Sequence, residues 1–359
     1  MTKNKILPVF IPHGGCRHRC IFCDQYRITA GNHLPSSEEL EAMIPPDLDN
    51  DTELAFYGGT FTALPATVRR VYLEFACRKK EAGVIGGIRL STHPAYMDAA
   101  IAGELESYGV DVVELGIQST DEDVLNLAAR GHGSKEVFTA AETLAASEMR
   151  WGVQLMVGLP GDSEEKDFFS VAQLLPYHPD MARIYPVLVL KGTPLAQMWQ
   201  RGEYMPLSLD DAVRISGKML ALFSCAGVPV IRMGLQPTEE IAFGSDTLLA
   251  GPFHPAFGYL VRCFLKREQM AMLLREHSET SLRFLGPKKD LPLLFGDHGE
   301  TLGLLAGERK LVVGESDLPR GAVALAPFSK KEKGNLLGIL TEEDFLKKYT
   351  EHDRSIFCI

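Results

Sequence analysis

The sequence has no run of about 18 consecutive apolar residues, the length that a helix needs to cross a bilayer. Its first residues, MTKNKILPVF, lack the apolar stretch and small-residue cleavage site of a secretory signal peptide. Basic residues are fewer than acidic ones: 37 Lys and Arg against 47 Asp and Glu give a formal net charge of −10. That balance offers no general attraction for nucleic acid or anionic lipid. We therefore expect a cytoplasmic protein without a membrane partner, in which any RNA binding uses a local patch.

Roughly 20-to-50-residue self-similarity and low-complexity tracts are also missing, which excludes solenoids and long linkers. A hydrophobic content of 45% and a charged content of 23% in 359 residues describe a globular protein with one large domain and an appendage, or two domains. The seven cysteines are an odd number in a chain without a secretion signal. They indicate reduced thiols rather than a disulfide framework.

Short apolar runs rich in β-forming residues alternate with amphipathic helical stretches. The predicted strands are Ile6–Ile11, Glu53–Tyr57, Gly87–Ser91, Val112–Ile117, Gly152–Val157 and Arg183–Leu188. Repeated β-then-α units imply a parallel sheet with right-handed crossovers. We predict an α/β fold with a partial or complete (β/α)6 TIM-like barrel over residues 1–235. A smaller C-terminal α+β domain over residues 236–359 is expected to cover the barrel mouth or bind substrate.

Unusual residues follow the end of each predicted strand. In chain order they are the cysteine loop, GGTFT (58–62), STHP (91–94), QST (118–120), GLPGD (158–162) and KGTP (191–194). Active sites of parallel barrels lie at the C-terminal ends of the strands. The sequence therefore predicts a functional site at that edge of the sheet.

Three of the seven cysteines lie within IPHGGCRHRCIFCDQ (11–25), at Cys16, Cys20 and Cys23. A structural zinc site takes four protein ligands, but the remaining cysteines, at 77, 225, 263 and 358, are scattered. A redox pair needs only C-x-x-C and leaves Cys16 unexplained. Three thiolates on one loop suit a cubane iron–sulfur cluster with its fourth iron open to another ligand. We interpret Cys77 and Cys225, in predicted helices, as packing residues.

The segment CRHRCIFC resembles the C-x-x-x-C-x-aromatic-C motif of radical S-adenosylmethionine (SAM) enzymes, with Phe22 in the aromatic position. YGGTF is similar to the turn of that family that receives the methionine end of SAM, which implies contacts from Gly58, Gly59 and Thr60. Glycine suits such a turn because backbone must approach a ligand closely. The resemblance implies a [4Fe–4S] cluster on the three cysteines and an electron donor of flavodoxin or ferredoxin type. It also implies cleavage of SAM to a 5′-deoxyadenosyl radical that abstracts hydrogen from a substrate.

Four stretches are similar, in the same order, to oxygen-independent coproporphyrinogen oxidases: VFIPHGGCRHRCIFC, YGGT, LGIQS and QLMVGLPG. That resemblance implies that Gln118 holds the SAM ribose with Ser91 nearby. It also implies that Arg130 binds the SAM carboxylate and that Gln154 completes the pocket. The chain departs from that branch at Phe10, where the branch has tyrosine, and at Ser91 and Gln154, where it has acids.

A second resemblance, within residues 85–235, is to the radical domain of Elongator protein 3. It rests on STHPAYMD, VELGIQSTDEDVLNLAARGH and RIYPVLVLKGTPLAQMW. That family spaces its cysteines more widely and carries an acetyltransferase domain, which we do not expect here. The resemblance therefore implies radical chemistry on RNA, in particular on a tRNA base, without acetyl transfer.

Other interpretations remain open. Glu114 lies inside a predicted strand, where an acid needs a partner, and is a candidate contact of SAM or substrate. Residues 261–290 hold seven Lys and Arg, among them Lys266, against four Asp and Glu. On a helix they form either a solvated face or a phosphate-contacting patch for RNA. The acidic net charge favours a small molecule or a protein as substrate. The alternative from another functional class is a non-catalytic iron–sulfur or metal-binding module. Gln118 and Arg130 argue against it, because such a module needs no SAM pocket.

Overall fold

A sheet of seven parallel strands forms the centre of the first part of the chain. In the computed structural model, which describes residues 5–29, 33–238, 241–242, 244–328 and 336–352, the strands pair in the order β1-β2-β3-β4-β5-β6-β8. Their bounds are β1 Ile6–Phe10, β2 Glu53–Tyr57, β3 Gly87–Thr92, β4 Val112–Gln118, β5 Arg150–Val157, β6 Met181–Pro186 and β8 Val230–Met233. A two-stranded ladder, β7 Val189–Leu190 with β9 Leu248–Ala250, accompanies them. The six predicted strands are confirmed, and β8 is an additional seventh.

Eight helices connect these strands in the described part of the chain. They are α1 Gln25–Ile28, α2 Ser37–Ala42, α3 Ala66–Glu81, α4 Ala99–Ser107, α5 Glu122–Leu127, α6 Ser134–Ala145, α7 Glu164–Leu174 and α8 Pro194–Gln200. Several of these helices begin at a residue whose side chain accepts a hydrogen bond from a backbone N–H of the first turn. At α2 this residue is Ser36, which forms the predicted capping box with Glu39. Asp98, Asp121 and Thr193 act in the same way.

A second compact unit contains α9 Leu209–Cys225, α10 Phe257–Arg275, α11 Leu291–Phe295, α12 Glu300–Ala306 and α13 Glu342–His352. Its sheet has the order β11-β10-β12-β13, with bounds β10 Ser281–Gly286, β11 Lys310–Glu315, β12 Val323–Pro327 and β13 Gly338–Leu340. Strand β10 runs parallel to β11 and antiparallel to β12. The mixed sheet with its helices confirms an α+β C-terminal domain. No helix in the described ranges is long and apolar enough to span a membrane.

The two units interleave along the chain. The first comprises Met1–Ser208 and Val228–Pro255, and the second comprises Leu209–Gly227 and Ala256–Ile359. The predicted single boundary after residue 235 differs from this division, because α9 packs with the core of the second unit through Ala221, while the segment from residue 228 supplies β8 to the parallel sheet. A single domain boundary cannot describe this arrangement, because each unit is built from two separate segments of the chain.

Lys266 is buried in the second unit, which contradicts its expected place in a phosphate-binding patch. Its ammonium group donates to Gln269 Oε1 at 2.8 Å and to the carbonyl of Gly321 at 2.8 Å. Burial lowers the pKa of this lysine. Lys266 lies on the same buried face of α10 as Met270 and Leu273, so this face serves the core and does not meet RNA.

A chain of alternating charges crosses the interior of the parallel sheet. Glu53 on β2 bonds Arg89 on β3 at 2.6 Å and Arg150 on β5 at 3.2 Å. Arg89 also bonds Glu114 on β4 at 3.0 Å. Glu114 then binds Arg183 on β6, with Arg183 Nη2 at 2.8 Å from Glu114 Oε1. Four of these five side chains are largely buried, and Arg150 is half exposed.

A further contact of Arg183, outside this chain of charges, shows that the sheet is curled. Arg183 Nη2 donates to the hydroxyl of Tyr57 at 3.0 Å, although three strands separate β6 from β2. In a flat sheet strands four spacings apart lie about 19 Å from each other. The sheet is therefore bent into a partial barrel around these polar side chains, as a TIM-like fold requires.

Replacing Arg89 with methionine tests this interior. Glu53 and Glu114 would lose a shared buried counter-charge, and we expect the free energy of unfolding to fall by about 3–5 kcal/mol. Denaturant unfolding measures the change. Arg201→Met is the matched control, since it breaks only the exposed pair with Glu203 and should leave the unfolding midpoint where it is. An Arg89→Met protein as stable as the control would show that the ion chain does not support the fold.

Candidate functional site

The cysteine loop is fastened to the turn that follows β2. His13 N–H donates to the carbonyl of Gly58 at 2.8 Å, and Thr60 N–H donates to the carbonyl of Gly14 at 2.7 Å. Gly58 has a φ of 88°, a conformation that favours glycine. The loop after the first strand and the turn after the second strand therefore form one structure at the carboxyl edge of the sheet.

Gly59 is required by this contact. A Cβ atom at Gly59 would lie 2.4 Å from the carbonyl oxygen of Gly14 and 2.7 Å from that of Ile11. The sequence predicts that this glycine permits the approach of a ligand. The structure gives it another physical reason, because the backbone of the cysteine loop occupies the space of a side chain.

The three thiols of the loop meet different polar partners. Cys16 Sγ lies 3.4 Å from Thr60 Oγ1, Arg130 Nη1 donates to Cys20 Sγ at 2.9 Å, and Gln25 Nε2 donates to Cys23 Sγ at 3.3 Å. Burial raises the pKa of Cys16, and it raises the pKa of Cys23 to about 12 together with the neighbouring thiol of Cys20. Without added positive charge these two thiols stay protonated at neutral pH.

The predicted polar residues meet behind the loop. Arg130, which is buried, donates through Nη2 to the carbonyl of Gly116 and is thereby fixed against β4. Its Nε is buried and has no hydrogen-bond partner among the described residues. A buried guanidinium nitrogen without an acceptor is costly, and an anionic ligand would satisfy it.

His93 and His132 hold the backbone of Arg130. His93 Nδ1 accepts the N–H of Ala95, so its Nε2 carries the proton and donates to the carbonyl of Arg130 at 2.9 Å. His132 Nδ1 lies 2.9 Å from the same Nε2. Burial lowers the pKa of His93 to about 3 and that of His132 to about 2, which keeps both rings neutral at pH 7. The sequence places His93 and His132 in loops, where a histidine is usually not a ligand, and the structure gives both rings protein partners.

Gln118 and Gln154 approach each other at the ends of β4 and β5. Gln154 Nε2 donates to Gln118 Oε1 at 3.4 Å, and Gln118 has the positive φ of 74° that few non-glycine residues adopt. Strain of this kind concentrates at functional sites. Ser91 lies opposite Glu114 in the ladder of β3 and β4, deeper in the sheet.

Two predicted residues are engaged elsewhere. The oxygens of Glu114 are bound by Arg89, Arg183 and the hydroxyl of Tyr57, so its partners in the structure are protein groups. Phe22 is half-buried and packs with the apolar cluster that contains Ile21. Tyr57 and Arg183 are not among the predicted site residues, although the alternation in RIYP places Arg183 and Tyr185 on one face of the strand.

The donor set fits an iron–sulfur cluster better than a single metal ion. No three His, Cys, Asp or Glu side chains in the described ranges converge on one metal position. A cluster binds each thiolate at a different iron and does not require such convergence. Its positive charge would also offset the raised pKa values of the buried thiols. The unpartnered Nε of Arg130 suits the carboxylate of a ligand beside it.

The remaining cysteines do not join this group. Cys77 is half-buried on α3, Cys263 is buried, and Cys358 lies outside the described residues. Cys225 is exposed, so the expectation that it packs in the core is wrong, because it occupies the last turn of α9.

The loop after β5 holds a buried carboxyl pair. Asp162 accepts the backbone N–H groups of Gly158 at 3.1 Å and Ser163 at 2.9 Å, and it accepts a hydrogen bond from protonated Asp167. Burial raises the pKa of Asp162 to about 6. Burial and the charge of Asp162 raise the pKa of Asp167 well above its ordinary value. The pair thereby fixes the GLPGD loop at the carboxyl edge of the sheet.

Two family models match most of the chain. The model of the Radical SAM superfamily matches residues 10–172, and that of the Radical_SAM C-terminal domain matches residues 179–267. The first match spans β1 to α7 and includes the cysteine loop, the glycine turn and the polar cluster around Arg130.

Curated relatives are similar over part of their length. The tRNA uridine(34) acetyltransferase of Methanocaldococcus jannaschii is 30% identical over 198 residues, which cover 50% of this chain and 36% of the relative. That of Methanocaldococcus infernus is 35% identical over 35% of this chain and 24% of the relative. Human Elongator complex protein 3 is 28% identical over 47% of this chain and 35% of the relative. The chain thus spans about a quarter to a third of these three proteins.

A solved structure supports the fold. The archaeal Elp3 of Methanocaldococcus infernus, lacking its first 46 residues, superposes with a TM-score of 0.55 at 24% identity. The superposition covers 74% of this chain and 64% of the other. At this identity the likeness concerns the fold alone.

Substitution of Gly59 by alanine should destabilise the protein by about 1–3 kcal/mol, the usual cost of overpacking, because the new methyl group meets fixed backbone. Thermal or denaturant unfolding gives the value. Gly103→Ala in α4 is the control, since no atom lies within 4 Å of its added Cβ and alanine favours helix. Equal stability of the two variants would contradict the proposed contact between the loops.

The Asp162–Asp167 pair predicts a pH dependence of stability. Both folded-state pKa values are raised, so the folded protein holds protons that the unfolded chain releases, and stability falls as pH rises through about 6 and above. Asp167→Asn keeps a donor to Asp162 but does not titrate. Its loss of stability between pH 5 and pH 8 should therefore be smaller than that of the wild type. The exposed Asp47→Asn should behave as wild type, and an unchanged slope in Asp167→Asn would refute the assignment.

Proposed function

The chain belongs to the radical SAM superfamily of enzymes, and from this premise we propose that it holds a [4Fe–4S] cluster and uses SAM to modify a base of tRNA. The observation that carries the proposal is the arrangement of Cys16, Cys20 and Cys23 on one loop fastened to the glycine turn, with Arg130 on the sulfur of Cys20. The names of the relatives, which act on tRNA uridine, support the choice of substrate.

The cofactors would supply the difficult step. A [4Fe–4S] cluster held by Cys16, Cys20 and Cys23 would, once reduced, supply the electron for cleavage of SAM to methionine, and with it the 5′-deoxyadenosyl radical for hydrogen abstraction from the substrate. We assign the electron donor to the flavodoxin or ferredoxin type and the protein to the cytoplasm.

The chain's own residues bind and orient. The thiolates of Cys16, Cys20 and Cys23 hold the cluster, and Arg130 offers its unpartnered Nε to the SAM carboxylate. The amides of Gln118 and Gln154, which already meet, offer donors and acceptors to the ribose hydroxyls. Ser91 lies deeper and assists the ribose, while Gly58, Gly59 and Thr60 receive the methionine amino group with backbone carbonyls. Glu114 acts indirectly by fixing Arg183 and Tyr57.

Acetyl transfer, which appears in the names of the relatives, is not part of the proposal. The matched segment represents 36% of the Methanocaldococcus jannaschii protein, and the models that match this chain are those of the radical SAM superfamily and of its C-terminal domain. Radical chemistry on a small molecule or a protein is the second candidate. The net charge of −10 and the burial of Lys266 favour it.

Anaerobic reconstitution tests the cofactor assignment. The wild type should bind about four irons per chain and release 5′-deoxyadenosine from SAM under reduction. Cys20→Ala should lose this product, because a ligand to the cluster is removed. Cys77→Ala should retain it, since that thiol lies on α3 outside the loop. Undiminished SAM cleavage by Cys20→Ala would refute the assignment.

The same preparation tests the substrate. Bulk tRNA incubated with loaded enzyme, SAM and reductant should yield a nucleoside of altered mass that Cys20→Ala does not produce. Cleavage of SAM with unaltered tRNA nucleosides would reject RNA and support the small-molecule or protein substrate.

A further inference from the structure

The charge chain inside the barrel carries an excess of positive charge. It contains three guanidinium groups, Arg150, Arg89 and Arg183, against the two carboxylates of Glu53 and Glu114. Arg150 is half exposed at one end, where solvent screens it. Arg183, at the other end, shares Glu114 with Arg89, so its charge is only partly balanced.

Arg232 adds a further positive charge beside Arg183. The two residues are partners in the parallel ladder of β6 and β8, at a point where the register shifts, so their backbones are neighbours at this edge of the sheet. Arg232 is half-buried, and its Nε donates to the carbonyl of Gly234 at 3.3 Å. Within the described ranges no carboxylate pairs with Arg232, which leaves the two terminal nitrogens of its fork as donors.

Tyr185 supplies a hydroxyl donor at the same place. It lies two residues beyond Arg183 on β6, on the same face and nearer the carboxyl edge. Its oxygen accepts a hydrogen bond from Arg183 Nη1 at 3.2 Å, and its O–H has no acceptor among the described residues. The ring packs against the apolar cluster that contains Val187, which fixes its position.

Because two guanidinium groups and a phenolic donor lie on neighbouring residues of β6 and β8, we propose that Arg232 and Tyr185, with Arg183 beside them, bind a phosphate group of the substrate at this edge of the barrel. A phosphate matches two neighbouring positive charges and accepts the paired donors of an arginine fork. This inference rests on the proposed function in one respect, that the barrel is the chamber where the substrate reacts. The phosphate belongs to the substrate and not to SAM, which carries a carboxylate instead.

Equilibrium dialysis of the reconstituted full chain at ~50 mM salt, where charge contacts are strongest, tests the site. The probes are inorganic phosphate, uridine 5′-monophosphate, uridine and acetate. Phosphate and the monophosphate should bind, and uridine and acetate should bind more weakly. Arg232→Gln should weaken phosphate binding about tenfold or more, as expected for a hydrogen bond to a charged group, and Tyr185→Phe about two- to tenfold. Arg78→Gln, an exposed arginine on α3, is the matched control and should bind as wild type.

A dinucleoside monophosphate identifies the source of the phosphate. Binding as tight as that of the mononucleotide indicates an internal phosphate of RNA, and binding of the mononucleotide alone indicates a free phosphate ester. Either outcome supports the site. Thermal unfolding of each variant shows whether it is folded. If Arg232→Gln does not fold, Tyr185→Phe still tests the site.

Two results would overturn the inference. One is equal phosphate affinity of Arg232→Gln, Tyr185→Phe and Arg78→Gln. The other is displacement of phosphate by SAM together with an equal loss of SAM affinity in Arg232→Gln, which would assign the site to SAM. The proposed function fails separately, since phosphate binding without SAM cleavage would refute it and leave the phosphate site standing.

Discussion

The hydrogen bonds of Arg183 to Tyr57 and Glu114 join strands that a flat sheet would keep far apart, and the shape of the first unit depends on them. An apolar interior could also fill a curled sheet, but it would not specify which side chains meet across it. Charged partners do, because a buried guanidinium has to find its carboxylate or lose several kcal/mol. The alternation of charges from Arg150 to Arg183 therefore determines which strands face each other. Tyr57 lies within this buried network, where burial and the neighbouring Glu114 carboxylate raise its pKa.

The site at the carboxyl edge is built on this frame by backbone contacts. The cysteine loop and the glycine turn are joined by hydrogen bonds of His13, Gly14 and Thr60. Strands β1 and β2 therefore fix the position of the thiols. Arg130 joins them to β4, since one nitrogen meets Cys20 and another meets the carbonyl of Gly116. His93 holds the other end of that residue. The geometry of the thiols is thus set by three strands and not by the loop alone.

Much of the fold and part of the site could be predicted from the sequence, because apolar runs and the turn residues between them are local signals. The six strands, the capping box at Ser36 and the grouping of three cysteines are of that kind. The seventh strand is short and follows Pro229, which weakens a strand pattern. Lys266 was misassigned because composition does not tell which face of α10 a residue occupies. The charge chain depends on contacts between residues up to 97 positions apart, and no local pattern contains them.

Among the described residues, the seven-stranded sheet ends at β1 on one side and at β8 on the other, and these two strands do not pair with each other. The sheet of the first unit is therefore an open half-barrel rather than a closed cylinder. A sheet with two open edges can admit one unit of a long polymer from the side, without threading a chain end through an opening. Arg232 lies on β8, the strand at one of these edges.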